Sequence, residues 1–138
     1  MCFAPLIMIG YLFTLHPNAA HTTNMNTNIV EVQTCETGLG AHARATGNGL
    51  YAGGLQYGLT WSFAPDWSLT FAPRAGVAYV DHDVRELPLR TPFELGAQFF
   101  FGFKSARFGV EYLHLSNAGL KDPNIGIDFV GAIGGMVF

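Results

Sequence analysis

From Leu50 onward the chain alternates apolar with polar or small residues, the period of a strand with two unlike faces. Leu55, Tyr57, Leu59, Trp61 and Phe63 alternate with Gln56, Gly58, Thr60 and Ser62, and a turn is predicted at Ala64-Pro65-Asp66. The next strand sets Trp67, Leu69, Phe71, Ala75, Val77 and Tyr79 against Ser68, Thr70, Arg74 and Gly76, with Pro73 predicting a bulge or kink. A third sets Phe93, Leu95, Ala97, Phe99, Phe101 and Phe103 against Glu94, Gly96, Gln98, Gly102 and Lys104, with Phe100 breaking the rule. After a tight turn at Ser105-Ala106, Phe108, Val110 and Tyr112 oppose Arg107, Gly109 and Glu111. The last strand carries Val130, Ala132, Met136 and Phe138 on one face.

Short turns alternate with longer loops, Asp81 to Arg90 and Asn117 to Ile127, and the first of these reads as an exposed, charged segment. Short turns at one end and long loops at the other are the habit of an outer-membrane barrel. Alternation alone does not say which face meets lipid. Composition does: 12% of residues are charged and 14% aromatic, with 12 Phe, a poor water-facing surface and a good lipid-facing one. An aromatic at Phe138 also matches the last strand of outer-membrane barrels. The fold expected is all-β, a small antiparallel transmembrane β-barrel of the bacterial outer membrane with eight strands. Five are plain, two more are expected in residues 28 to 48, around Ile29 to Cys35 and Leu39 to Ala45, where alternation is poor, and the eighth needs either the apolar N-terminal segment as a strand or a missing piece.

The first thirty residues contain no Asp, Glu, Lys or Arg. Phe3 to Leu15 is apolar, shorter than the ~20 residues of a spanning helix and of the length of a signal-peptide core. The division expected is a signal peptide over 1–20, with a weak cleavage site at Asn18-Ala19-Ala20, and one barrel domain over 21–138. The missing basic residues depart from that pattern, and a first strand is the alternative reading of the same segment.

Chemistry concentrates in the last hairpin. His114 and Ser116 continue the apolar face of Phe108, Val110 and Tyr112, and Asp128 begins the face that runs on through Val130 and Ala132. A histidine and a carboxylate on a lipid-facing side are anomalous, since a charge there costs ~2–4 kcal/mol at the midplane and little at the interface. Both fall at the loop ends of their strands. Residues i and i+2 on a strand lie ~6.5–7 Å apart, so a His114 ring nitrogen can reach the Ser116 hydroxyl. Asp128 falls opposite one of them across the hairpin or diagonal at ~7–8 Å. In hydrolase terms Ser116 is the nucleophile, His114 the general base and Asp128 the residue that fixes the imidazole tautomer. Asn117, Gly119 and Asn124 in the following turn are candidate oxyanion or substrate-positioning donors. The His-x-Ser spacing is common by chance, so these residues alone leave open a non-catalytic structural or adhesive barrel.

The run His114-Leu-Ser116-Asn117-Ala118-Gly119-Leu-Lys121-Asp-Pro123-Asn124-Ile-Gly126-Ile-Asp128 resembles the signature hairpin of the lipid A 3-O-deacylase (PagL) family. The resemblance extends over roughly Leu50 to Phe138. It implies an eight-stranded outer-membrane barrel with a Ser-His-Glu triad on its outer surface and an Asn-containing oxyanion hole. Carried onto this chain, it assigns the histidine and serine to His114 and Ser116, the asparagines to Asn117 and Asn124, and the acid to Asp128. The family acid is usually Glu, so this chain departs by one methylene. The implied reaction is removal of the 3-O-linked hydroxyacyl chain from lipid A of lipopolysaccharide; a phospholipid acyl hydrolase on the same scaffold is the alternative.

The remaining signals add little. A net charge of −3 gives no basic footprint for nucleic acid. Cys2 and Cys35 make no disulfide framework, and Cys35 is assigned no chemistry. Asp81-His82-Asp83 reads as a solvated loop, His42 has no carboxylate near it in sequence, and Lys121 reads as a loop lysine, so neither a metal nor a cofactor is expected. Lipid A, lipopolysaccharide and outer-membrane lipids are the expected partners, with room for a homodimer.

Overall fold

The computed structural model describes residues 4–15, 24–84, 87, 90–117 and 126–138. Eight antiparallel strands close into a barrel: β1 Leu6–Thr14, β2 Thr27–Gln33, β3 Gly38–Thr46, β4 Leu50–Ala64, β5 Trp67–Val80, β6 Phe93–Phe103, β7 Ala106–Ser116 and β8 Ile127–Val137. Each strand pairs with its sequence neighbours, and β1 pairs with β8 from Leu6↔Val137 to Thr14↔Phe129. No sheet edge is left open, as a bilayer requires, because an unpaired backbone group in hydrocarbon has no water to bond.

The outward face is largely apolar. Leu39, Ile9 and Leu95 are 68%, 63% and 62% exposed, and the outer surface also carries Tyr51, Trp61, Phe63, Val77, Phe101, Phe108 and Val110. The inward face holds the polar residues. Glu31 accepts hydrogen bonds from Arg44 Nε (2.9 Å) and from Arg74 Nη1 (2.7 Å). Glu111 pairs with Arg44 (2.6 Å). Gln33 donates to Glu31 and to Gln98, and Gln56 donates to Gln33. Two arginines thus face two glutamates, so the wholly buried network is close to charge-neutral. The orientation is that of a membrane barrel: apolar outside, with a polar, side-chain-filled interior.

Several expectations change in detail. The apolar N-terminal segment, read from sequence as the core of an export signal, forms β1, hydrogen-bonded to β2 and β8. Its period is hidden because both faces are apolar, with Leu6, Met8 and Leu12 inside and Ile7, Ile9, Tyr11 and Phe13 outside. The sheet therefore includes residues before 21, while Asn18, Ala19 and Ala20 lie outside the described residues. Pro73 neither bulges nor breaks β5. The β4–β5 ladder skips the positions facing Ala72 and Pro73 and resumes in the same register, the mark of a missing N–H. The irregularity instead falls between Ser62 and Ala64. Lys104 is not on the inward face; with Ser105 it forms the turn, at φ 51°, and its ammonium lies 5.5 Å from the Phe103 ring. Phe100, the exception to alternation, points inward and is fully buried beside Gly109, whose lack of a Cβ makes room for it. The loop after β5 is not wholly exposed, because Val84 and Leu87 bridge to each other and turn into the core. They join Leu50, Val80, Leu115 and Ile127 in an apolar cluster at the long-loop end.

The turns at residues 34–37, 65–66 and 104–105 lie at one end, together with the start of β1 and the end of β8. The strand ends at Thr14, Thr27, Thr46, Leu50, Val80, Phe93, Ser116 and Ile127 lie at the other end, and so do the residues of interest.

Candidate active site

The last hairpin holds its polar residues by alternation. On β7, Leu113 and Leu115 point inward and are fully buried, so His114 between them points out. On β8, Ile127 and Phe129 are buried on either side of Asp128. Four anchored apolar side chains thus fix the backbone from which the imidazole and the carboxylate project. The register places His114 directly opposite Asp128. His114 Nδ1 lies 2.8 Å from Asp128 Oδ1, with side-chain exposures of 34% and 39%, so the pair is supported yet reachable from the barrel surface. No strand shift is needed for the shorter acid, since cross-strand partners already stand ~4.5–5.5 Å apart at Cβ.

Among the described strand residues, Asp128 is the only Asp, Glu, Lys or Arg on the outward face. Glu31, Arg44, Arg74, Glu94 and Glu111 are buried inside, and Arg107 is tied to Glu36. The Asp128 carbonyl accepts from Leu15 N (2.8 Å), which ties the start of β8 to the end of β1. Tyr112 Oη donates to the same Asp128 Oδ1 at 2.6 Å.

Ser116 ends β7 two residues beyond His114 on the same face, partly buried and paired with Phe93 of β6. Asn117 follows it and is fully buried, so its amide is not on the lipid-facing surface. Gly119, Asn124 and Lys121 lie outside the described residues. A further residue emerges from the geometry. Gly126 adopts φ +72°, and a Cβ there would stand 2.9 Å from His114 Cε1 and 2.7 Å from the Leu115 carbonyl oxygen. The glycine therefore both makes the left-handed turn into β8 and leaves space for the imidazole. Sequence offered only a glycine between two isoleucines as its signal.

The other described histidines, His42 and His82, fall elsewhere. His42 is buried inside the barrel, 2.7 Å from Glu94 Oε1, a carboxylate 52 residues away in sequence. His82 is exposed beside Asp81. Among the described residues, no three His, Cys, Asp or Glu side chains converge as metal ligands do.

A closed eight-stranded barrel with an apolar exterior, a polar interior and long loops at one end defines a small outer-membrane β-barrel protein. Comparison with known proteins assigns it further. The model of the family described as lipid A 3-O-deacylase (PagL) matches residues 9–136, and the chain belongs to that family. The match takes in six of the nine residues of β1 as well as the last hairpin. Among solved structures, the chain is similar to the crystal structure of the outer membrane enzyme PagL, with a TM-score of 0.61 and 16% identity over 94% of this chain and 98% of that one. It is also similar to the backbone structure of the Yersinia pestis outer membrane protein Ail in a phospholipid bilayer nanodisc, at TM-score 0.48 and 16% identity, covering 98% and 99% of the two chains. No curated protein sequence matches. The chain is thus an outer-membrane enzyme of the lipid A deacylase kind, an acyl hydrolase acting on lipid in the bacterial outer membrane.

Proposed function

We propose that this protein hydrolyses the ester that links a hydroxyacyl chain to the 3 position of lipid A, using Ser116, His114 and Asp128 on the lipid-facing rim. The observation that carries the proposal is the hydrogen-bonded His114–Asp128 pair on an otherwise uncharged outer surface, with Ser116 on the same face two residues away. A structural barrel has no use for a charge facing lipid, whereas a hydrolase acting on membrane lipid needs its base there.

The chemistry follows from which imidazole nitrogen is engaged. Nδ1 is committed to Asp128, which leaves Nε2 as the base. Ser116 Oγ attacks the ester carbonyl as His114 Nε2 takes its proton. The tetrahedral intermediate collapses, and Nε2 returns the proton to the departing glucosamine oxygen. Water, deprotonated by the same nitrogen, then releases the 3-hydroxy fatty acid and regenerates Ser116. Asp128 keeps the imidazole in the Nδ1–H tautomer and stabilises the imidazolium between the two proton transfers. Gly119, Asn124 and the backbone N–H of Asn117 are the proposed donors to the oxyanion. The acyl chain approaches laterally from the outer leaflet, since Phe93 and Leu95 on β6, the cross-strand partners of Ser116 and His114, present an apolar surface beside the reactive groups. Assembly as a homodimer belongs to this reading as a proposal.

An activated serine is detected by covalent trapping. The folded protein in detergent micelles, treated with a long-chain alkyl phosphonofluoridate, is expected to gain one adduct, on Ser116 by peptide mass spectrometry. The His114→Ala variant is expected to gain none in the same time. Labelling of another serine, or equal labelling of the variant, contradicts the proposal.

A further inference from the structure

Tyr112 occupies the outward face of β7 at the point where a tyrosine ordinarily serves as an interfacial anchor, its ring in lipid and its hydroxyl toward the headgroups. Its hydroxyl is engaged differently here. Tyr112 pairs with Val130 of β8, so Asp128 stands diagonal to it, one outward position nearer the loop. The tyrosine spans that diagonal and donates to Asp128 Oδ1 at 2.6 Å, the oxygen that His114 Nδ1 also meets at 2.8 Å. Two donors on one oxygen fix both side-chain torsions of a partly exposed aspartate that would otherwise sample several rotamers. Along the edge of β8 that faces β1, Leu15 N donates to the Asp128 carbonyl.

We infer that Tyr112 is a positioning residue for deacylation, holding the short Asp128 carboxylate against His114 Nδ1 and so leaving Nε2 to serve as the base for Ser116. The inference rests on the triad reading above and deepens it. Tyr112 stands two outward positions before Ser116 on β7 and acts through Asp128, so its loss lowers turnover without changing lipid affinity.

The test compares the full-length parent with Tyr112→Phe, Tyr112→Trp and Ser116→Ala, each refolded and checked for a closed barrel by its heat-modifiable migration in gels. The substrate is purified lipid A carrying 3-O-hydroxyacyl chains, in mixed micelles. Tyr112→Phe keeps the ring but not the donor, and its kcat is expected to fall about tenfold with KM unchanged. Tyr112→Trp keeps an interfacial amphipathic ring but removes the phenolic hydroxyl, and it is expected to fall at least as far. Parent-like kcat in Tyr112→Phe, a rise in KM alone, or full activity in Tyr112→Trp beside an impaired Tyr112→Phe overturns the inference and leaves Tyr112 a membrane anchor. Ser116→Ala is the separate arm. Activity surviving that change overturns the triad reading itself, and the positioning role with it.

Discussion

Replacing His114 with Ala is expected to cut lipid A deacylation by roughly 10⁴-fold or more, the scale seen when a hydrolase loses its general base. The imidazole has no substitute. Among the described strand residues Asp128 is the only carboxylate on the outer face, and it is held by the His114 imidazole itself. Without the imidazole the Ser116 hydroxyl keeps its proton, and the departing sugar oxygen has no acid. The barrel should be untouched, because His114 points out of the fold while its neighbours Leu113 and Leu115 supply the buried contacts. Release of 3-hydroxy fatty acid from purified lipid A measures the loss, and unchanged heat-modifiable migration shows that the fold is intact. A variant with near-parent activity removes His114 from the mechanism.

The second large effect lies inside the barrel. Glu31→Ala is expected to destabilise the fold by about 3–5 kcal/mol, the cost of breaking a buried ion pair and leaving its partners uncompensated. Glu31 accepts from Arg44, Arg74, Gln33 and Gln98, so its removal leaves two buried guanidinium groups sharing Glu111 as their ion-pair partner, with Arg74 keeping its bond to Gln56. Equilibrium unfolding by urea in lipid vesicles reads the change. The double variant Glu31→Leu with Arg44→Met removes one charge of each sign and should recover much of the loss, since it deletes a pair instead of orphaning it. Equal stability of Glu31→Ala and parent would mean that water or neighbouring groups compensate the arginines.

How far the sequence disclosed this architecture depends on what each strand has on its two faces. β4 to β8 alternate large apolar residues with polar or small ones, so both their existence and their outward side were legible. β3 was faint because its outward residues Ala41, Ala43 and Ala45 are small, giving a weak contrast with inward His42 and Arg44. β2 mixes its faces, with Ile29 inside and Asn28 outside. β1 is apolar on both sides and so loses its period, which is why it resembled the core of an export signal.

The site divides in the same way. The outward projection of His114, Ser116 and Asp128 followed from parity alone. Their register did not, because the ten-residue connection between β7 and β8 admits several pairings. The fold brings His114 opposite Asp128 and so turns two allowed geometries into one. The roles of Tyr112 and Gly126 were not legible, since each depends on a contact across the hairpin rather than on a motif. The His42–Glu94 contact was hidden for the same reason, its partners lying on β3 and β6.

The central claim is that Ser116 removes a hydroxyacyl chain from lipid A in the outer membrane. Mass spectrometry of lipid A tests it most directly, using cells of a Gram-negative host with fully acylated lipid A that express either the chain or its Ser116→Ala variant. Expression of the parent is expected to convert lipid A to a species lighter by one 3-O-linked hydroxyacyl group, with the variant leaving the host lipid A unchanged at equal barrel abundance. Identical lipid A in the two strains, or the same mass loss in both, would contradict the account.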